Sequence, residues 1–238
     1  MNTPLASSFG LAEHGAVGLA GGTAQRVYND LRHRIITLDL PPDTTLARNE
    51  LTDTYDVSQT PIREALQLLR QEGLVRIYPQ SKTVVTRIDV PEIFEAHFLR
   101  VALETEVCRG LAELADNSAT VTRARSIIRM QEAVANDSTQ LAVFQELDEL
   151  FHQTLFVGVG RVGLQALVRE RSGHLERLRR LHLPERGKIL SILGGHRAVI
   201  DAIAEKDVDG AIGAIREHLS QTVAQVEVLR REFPDYFA

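Results

Sequence analysis

With 238 residues, 25% of them charged, and a net charge of −5, the chain can bury its own core without staples and is too polar throughout to be a membrane span. The single cysteine, Cys108, excludes an internal disulfide and reads as a small buried helix residue, which points to a reducing, cytoplasmic setting. Residues 21–88 hold nine Lys and Arg against eight Asp and Glu, while residues 89–238 hold eighteen against twenty-three, so the overall acidity says little about any one face.

Residues 1–22 are rich in Ala, Gly and Ser and lack a basic start, which reads as a flexible leader rather than a signal peptide. Val27, Leu31 and Ile35 recur at one helical spacing and predict a helix over 23–38, stopped by Pro41-Pro42. A short helix is expected over Arg48–Tyr55. A turn at Asp56-Val57 leads to a third helix, with Ser58 as N-cap, Pro61 in the first turn and Gly73 as the stop. Two β-branched runs, 74–78 and 83–88, flank Pro79-Gln80-Ser81-Lys82 as a hairpin. Helix, helix, turn, helix, hairpin is the pattern of a winged helix-turn-helix, expected over 23–88.

From Pro91 onward the strand signals stop. Helical periodicity predicts six helices, over about 91–115, 120–136, 140–158, 161–181, 186–205 and 207–232, giving an all-α six-helix bundle as the C-terminal domain, residues 91–238. The fold expected is therefore mainly α. Arg169, Arg171, Arg177, Arg179 and Arg180 form a basic stretch, read as a solvated and interhelical face because Leu175, Leu178 and Leu181 supply an inward stripe.

Within the third helix, Ile62, Leu66 and Leu69 share the buried face. Ser58, Gln59, Thr60 and Arg63 are left at the exposed N-terminal end, where a recognition helix meets base edges. Glutamine suits adenine, and arginine suits guanine or a phosphate. In the helical half, Asp148 and His152 lie i, i+4 on one helix, and His196 and His218 lie on two later ones. Such a set could hold a transition metal, zinc, nickel, copper or iron, at a bundle centre. Single histidines are also common as ordinary surface or core residues, and the residues alone leave both readings open.

Residues 23–88 resemble the N-terminal domain of the GntR family of bacterial regulators, whose usual run is Val-Ser-Arg-Thr-Pro-Val-Arg-Glu-Ala-Leu. This chain has Gln59 where arginine is common, Asn49 where an arginine often precedes Glu-Leu, and Lys82 in place of a frequent wing-tip glycine. The resemblance implies that Arg48, Asn49, Ser58, Gln59, Thr60 and Arg63 face double-stranded operator DNA. It also implies that the wing meets the minor groove, with Lys82 suited to a phosphate. Residues 91–238 resemble the FCD domain of the FadR subfamily, and six helices rather than seven fits its VanR-like branch.

That resemblance implies a metal, zinc or nickel foremost, on Asp148, His152, His196 and His218. It further implies that Arg100 of the Arg100-x-x-Leu103-Glu104 run receives an effector carboxylate, with Glu104 orienting it. The expectation is a homodimeric transcriptional repressor controlled by a small organic acid. The rival is a metal-dependent enzyme on the same bundle, against which no general base is placed beside the candidate ligands.

Overall fold

The computed structural model describes residues 19–79, 82–183 and 186–238. Helix α1 (Leu19–Ile36) begins four residues before the expected start, and residues 1–18 of the expected leader lie outside the described part. Val27, Leu31 and Ile35 are fully buried, and they share a cluster with Leu51 of α2 (Arg48–Tyr55) and Ile62, Leu66 and Leu69 of α3 (Gln59–Gln71). Asp56 turns the chain between α2 and α3 with φ 50°, and Gly73 ends the α3 turn with φ 73°. Only glycine takes the latter without strain.

The hairpin strands are β2 (Val75–Ile77) and β3 (Thr83–Val85), and they pair antiparallel with Val75 opposite Val85. A further two-residue strand, β1 (Thr45–Leu46), joins the other edge of β3, giving the order β1-β3-β2. It went unpredicted because two residues carry no alternation.

The second part is all helical: α4 (Val90–Glu113), α5 (Ser118–Val134), α6 (Leu141–Gly158), α7 (Val162–Arg171), α8 (Gly173–His182), α9 (Arg186–Ala204), α10 (Val208–Val223) and α11 (Val226–Glu232). Asp89 caps α4 by accepting from the Glu92 amide, and Asp207 caps α10 by accepting from the Gly210 amide. Helices α4, α5, α6, α9 and α10 enclose a core that includes Phe144, Phe151, Phe156, Val199, Ile203 and Ile215.

All six expected helices are present, and two of them are divided. The break at Ser172 separates α7 from α8. It seats Gly173 against the first part, where a Cβ would stand 2.8 Å from Cδ2 of Leu74. The second break, at Ala224-Gln225, lets α11 fold back on α8 with Val226 and Leu229 buried. These two residues join Ile88, Ile93, Leu175, Leu178 and Phe237 in a third cluster beneath the connection between the two parts. The chain end closes it, with the Ala238 amide donating to the Ile88 carbonyl at 3.0 Å.

Candidate functional site

Helix α3 buries Ile62, Ala65, Leu66 and Leu69 and turns its other side to solvent. Arg48, Asn49, Ser58, Gln59, Thr60, Arg63 and Lys82 are all exposed. Ser58 sits at the N-cap in extended backbone (φ −69°, ψ 170°), but its hydroxyl makes no capping bond and stays available. The α2–α3 turn brings Asn49 and Gln59 together, with Gln59 Nε2 donating to Asn49 Oδ1 at 3.4 Å. Arg48 and Arg63 form no ion pair among the described residues. On the hairpin, Lys82 Nζ lies 5.9 Å from the centre of the Tyr78 ring. The surface therefore offers uncommitted donors at a helix N-terminus, the position where base edges and phosphates are met.

In the helical part, α6 supplies Asp148 and His152 one turn apart, α9 supplies His196 and α10 supplies His218. Their relative exposures are 1%, 7%, 0% and 6%, and one ligand atom from each lies within 4.8 Å of the others. His196 Nε2 is 3.4 Å from Asp148 Oδ1, His152 Nε2 is 3.9 Å from Asp148 Oδ2, and the Nε2 atoms of His152 and His218 are 3.3 Å apart. Metal–nitrogen bonds of about 2.1 Å set neighbouring ligand atoms roughly 3–4 Å apart, so these spacings suit one cation among them.

The surroundings prepare the ligands. Burial alone would raise the Glu104 carboxyl, but Arg100 and His152 outweigh it and hold it down at about 2. Glu104 can then only accept, so His152 Nδ1 donates to it at 2.6 Å and Nε2 keeps its lone pair for the centre. His196 Nδ1 donates in the same sense to Gln131 Oε1 at 2.9 Å. Burial pushes His196 down to about 3 and, with His196 and His152 beside it, holds His218 well below its ordinary value; both stay neutral imidazoles. Asp148 is ionised: burial alone would raise its carboxyl, but the Arg179 guanidinium beside it holds it well below the usual carboxylate range.

Asp148 Oδ1 and His196 Nε2 are buried without any hydrogen-bond partner. Each such atom costs about 1–3 kcal/mol, which a bound cation would offset. Gly195 makes room: a Cβ there would lie 2.5 Å from His218 Nδ1. Three histidines and a carboxylate, with the outer nitrogens held by Glu104 and Gln131, fit a divalent transition metal.

The expected set is thus brought together, and Arg100 and Glu104 are joined to it through His152. Arg100 Nε donates to Glu104 Oε1 at 2.7 Å with both side chains buried, which sets this pair apart from a solvated i, i+4 pair. Sequence reasoning missed Arg179, which donates to Asp148 Oδ2. It lies in the basic stretch expected to be partly solvated, where it flanks the Leu175–Leu178 stripe. A basic residue beside a buried stripe was the one available signal.

Comparison with known proteins places both parts. Residues 23–85 match the profile of bacterial regulatory proteins of the gntR family, and residues 92–221 match that of the FCD domain. A Streptomyces ambofaciens HTH-type transcriptional regulator in an unstable DNA locus is 36% identical over 219 residues, which cover 92% of this chain and 91% of that protein. The HTH-type transcriptional repressor RspR of Escherichia coli (strain K12) is 27% identical over 214 residues, covering 90% and 93%. The solved structure of E. coli McbR/YncC shares the fold with a TM-score of 0.74 at 16% identity, over 89% of this chain and 98% of that one.

Proposed function

The chain belongs to the GntR family of bacterial regulatory proteins, with an FCD domain after its winged helix-turn-helix, and from that premise we propose that a small carboxylate in a metal-holding helical pocket controls its grip on operator DNA. The family and the relatives are transcriptional regulators, so the protein is a regulator and not a metal-dependent enzyme. Among the described residues no helix is long and apolar enough to cross a membrane.

The observation that carries the reading is the pair of unpartnered buried atoms, Asp148 Oδ1 and His196 Nε2, within a four-residue ligand set. A bound divalent metal would supply a Lewis-acidic point for a carboxylate. His152, held by Glu104, and His196, held by Gln131, fix the ligand directions. Arg100 supplies a buried forked cation beside the set, and its counter-charge Glu104 fixes the orientation of that fork. The nitrogen-rich set favours zinc or nickel. The Asp148, His152, His196 and His218 set and the Arg100-x-x-Leu103-Glu104 run also support a place in the FadR subfamily, and the six helices read from the periodicity, two of them divided, support its VanR-like branch.

At the other end, Arg48, Asn49, Ser58, Gln59, Thr60 and Arg63 read an operator in the major groove and Lys82 holds a phosphate at the wing. The protein acts as a homodimer on a short palindrome and as a repressor, the role that the RspR relative is named for. The acid changes operator affinity only by binding one arrangement of the two heads better than another. The test is a binding titration on upstream intergenic DNA, with and without candidate hydroxy acids, dicarboxylates and sugar acids. Specific binding released by one acid and by chelator is expected. Binding indifferent to every acid and to chelator would overturn the control, and no binding at any salt would overturn the operator assignment.

A further inference from the structure

One short helix touches both ends of the molecule's chemistry. Arg179 of α8 donates to Asp148 in the ligand set. Three residues earlier, Glu176 Oε2 receives Nη2 of Arg32, a residue of α1 in the DNA-binding head, at 3.0 Å. Arg32 also donates from Nε to Glu72 Oε2 at 2.8 Å and from Nη2 to the Arg169 carbonyl at 2.9 Å. Arg32 and Glu176 are 4% and 5% exposed, so their attraction is poorly screened. Asp148, Arg179, Glu176, Arg32 and Glu72 thus form a run of buried charges alternating in sign from the pocket to the head.

Other residues of α8 reach the head side. Arg177 is fully buried and donates to the Thr86 carbonyl and toward His174 Nδ1. His174 Nδ1 also accepts from the Asp89 amide at 2.9 Å. Gly173 lies against Leu74 without room for a Cβ. A displacement of α8 would therefore bear on the head, and Arg179 ties the same helix directly to Asp148.

We propose that α8 couples the pocket to the seating of the DNA head, with Arg179 responding to Asp148 and Glu176 holding Arg32. The inference rests on the metal reading above. With a cation held by the four residues, Asp148 would share its charge with it and hold Arg179 less firmly. Glu176 stands one turn before Arg179 on the same helix, at the i, i+3 spacing where side chains meet. Arg179 then competes with Arg32 for Glu176, and the head is held less firmly. Helix α6 offers room for that adjustment. Asn29, Arg32, Gln145, Glu149 and Arg169 line a cavity of about 70 Å³ between α1 and α6, and both amide atoms of Gln145 are buried there without partners.

The test is hydrogen–deuterium exchange on the full chain after stripping with chelator, read before and after adding zinc. In the wild type, exchange should slow in the pocket segments 144–152 and 193–199 and change in the seam segments 28–36 and 70–76. Glu176→Gln should keep the pocket response and lose the seam response. A seam response in Glu176→Gln equal to that of the wild type overturns the proposal. So does a wild-type seam that stays unchanged while its pocket responds. No zinc response in the wild-type pocket overturns the metal reading, and the coupling with it. Should Glu176→Gln lose the pocket response as well, Arg32→Lys is read by the same criteria.

Discussion

His152 gives Nδ1 to Glu104 at 2.6 Å and so turns Nε2 toward Asp148, 3.9 Å away. A residue outside the candidate ligand set thus aims one of its members. Glu104→Gln should lower zinc affinity by about 10–100-fold in a competition titration against a chelating dye. Glu106→Gln, on the same helix but exposed and paired with Arg109, should leave it unchanged. Equal affinities in the two variants would show that Glu104 does not aim the ligand.

Gly195→Ala separates helix propensity from the site. Alanine inside a helix is favoured over glycine by about 1 kcal/mol. Here the added Cβ would stand 2.5 Å from His218 Nδ1 and push the ring out of place. The variant should lose most bound metal and gain no stability. Full metal content with a raised melting temperature would refute this.

Acidification should destabilise the metal-free protein. His174 and His196 are pushed down to about 3 and His218 well below 6.5, chiefly by burial, so their contributions are present above the unfolded value near 6.5 and are lost as pH falls toward the folded values. Glu149 opposes them: burial and Glu176 raise it to about 7, so its contribution is full below 4.5 and is lost as pH rises through 7. Three imidazoles outweigh one carboxyl. Between pH 6.5 and 5.5 the net loss should be on the order of 1–2 kcal/mol. Thermal melts in chelator check this, and a midpoint that rises on acidification would contradict it.

The exposed head residues should divide by role. Lys82→Ala should weaken operator and random DNA alike and reduce the salt slope by about one. Gln59→Ala and Arg63→Ala should cost about 1–3 kcal/mol on the operator and relax base preference at one position each. Anisotropy titrations at several salt concentrations distinguish the two patterns. A uniform loss for all three variants would mean that α3 grips phosphates only.

Much of the fold was readable where local signals agree with tertiary demand. Helix α2 begins and ends at the expected residues, and the left-handed Asp56 and Gly73 fall at the expected stops. Strand β1 was not readable, because two residues carry no alternation and their partners on β3 are distant in sequence. The division at Ser172 was hidden because Leu175 and Leu178 continue the apolar rhythm across it. The break answers to Leu74, which contacts it only once the chain is folded. Within the site, spacing marked Asp148 and His152 as neighbours. The two later histidines were attached to them by family resemblance, and Arg179 by neither.

The ion pair between Arg32 and Glu176 also governs how this molecule can exchange parts. Arg32 lies in the stretch shared with the gntR family and Glu176 in the stretch shared with the FCD domain. A chimaera that joins this head to a body without an acid at position 176 strips Arg32 of one of its two buried carboxylates, at a cost of about 1–3 kcal/mol. Head and body are therefore a matched set. A designer who recombines them must move the two residues together.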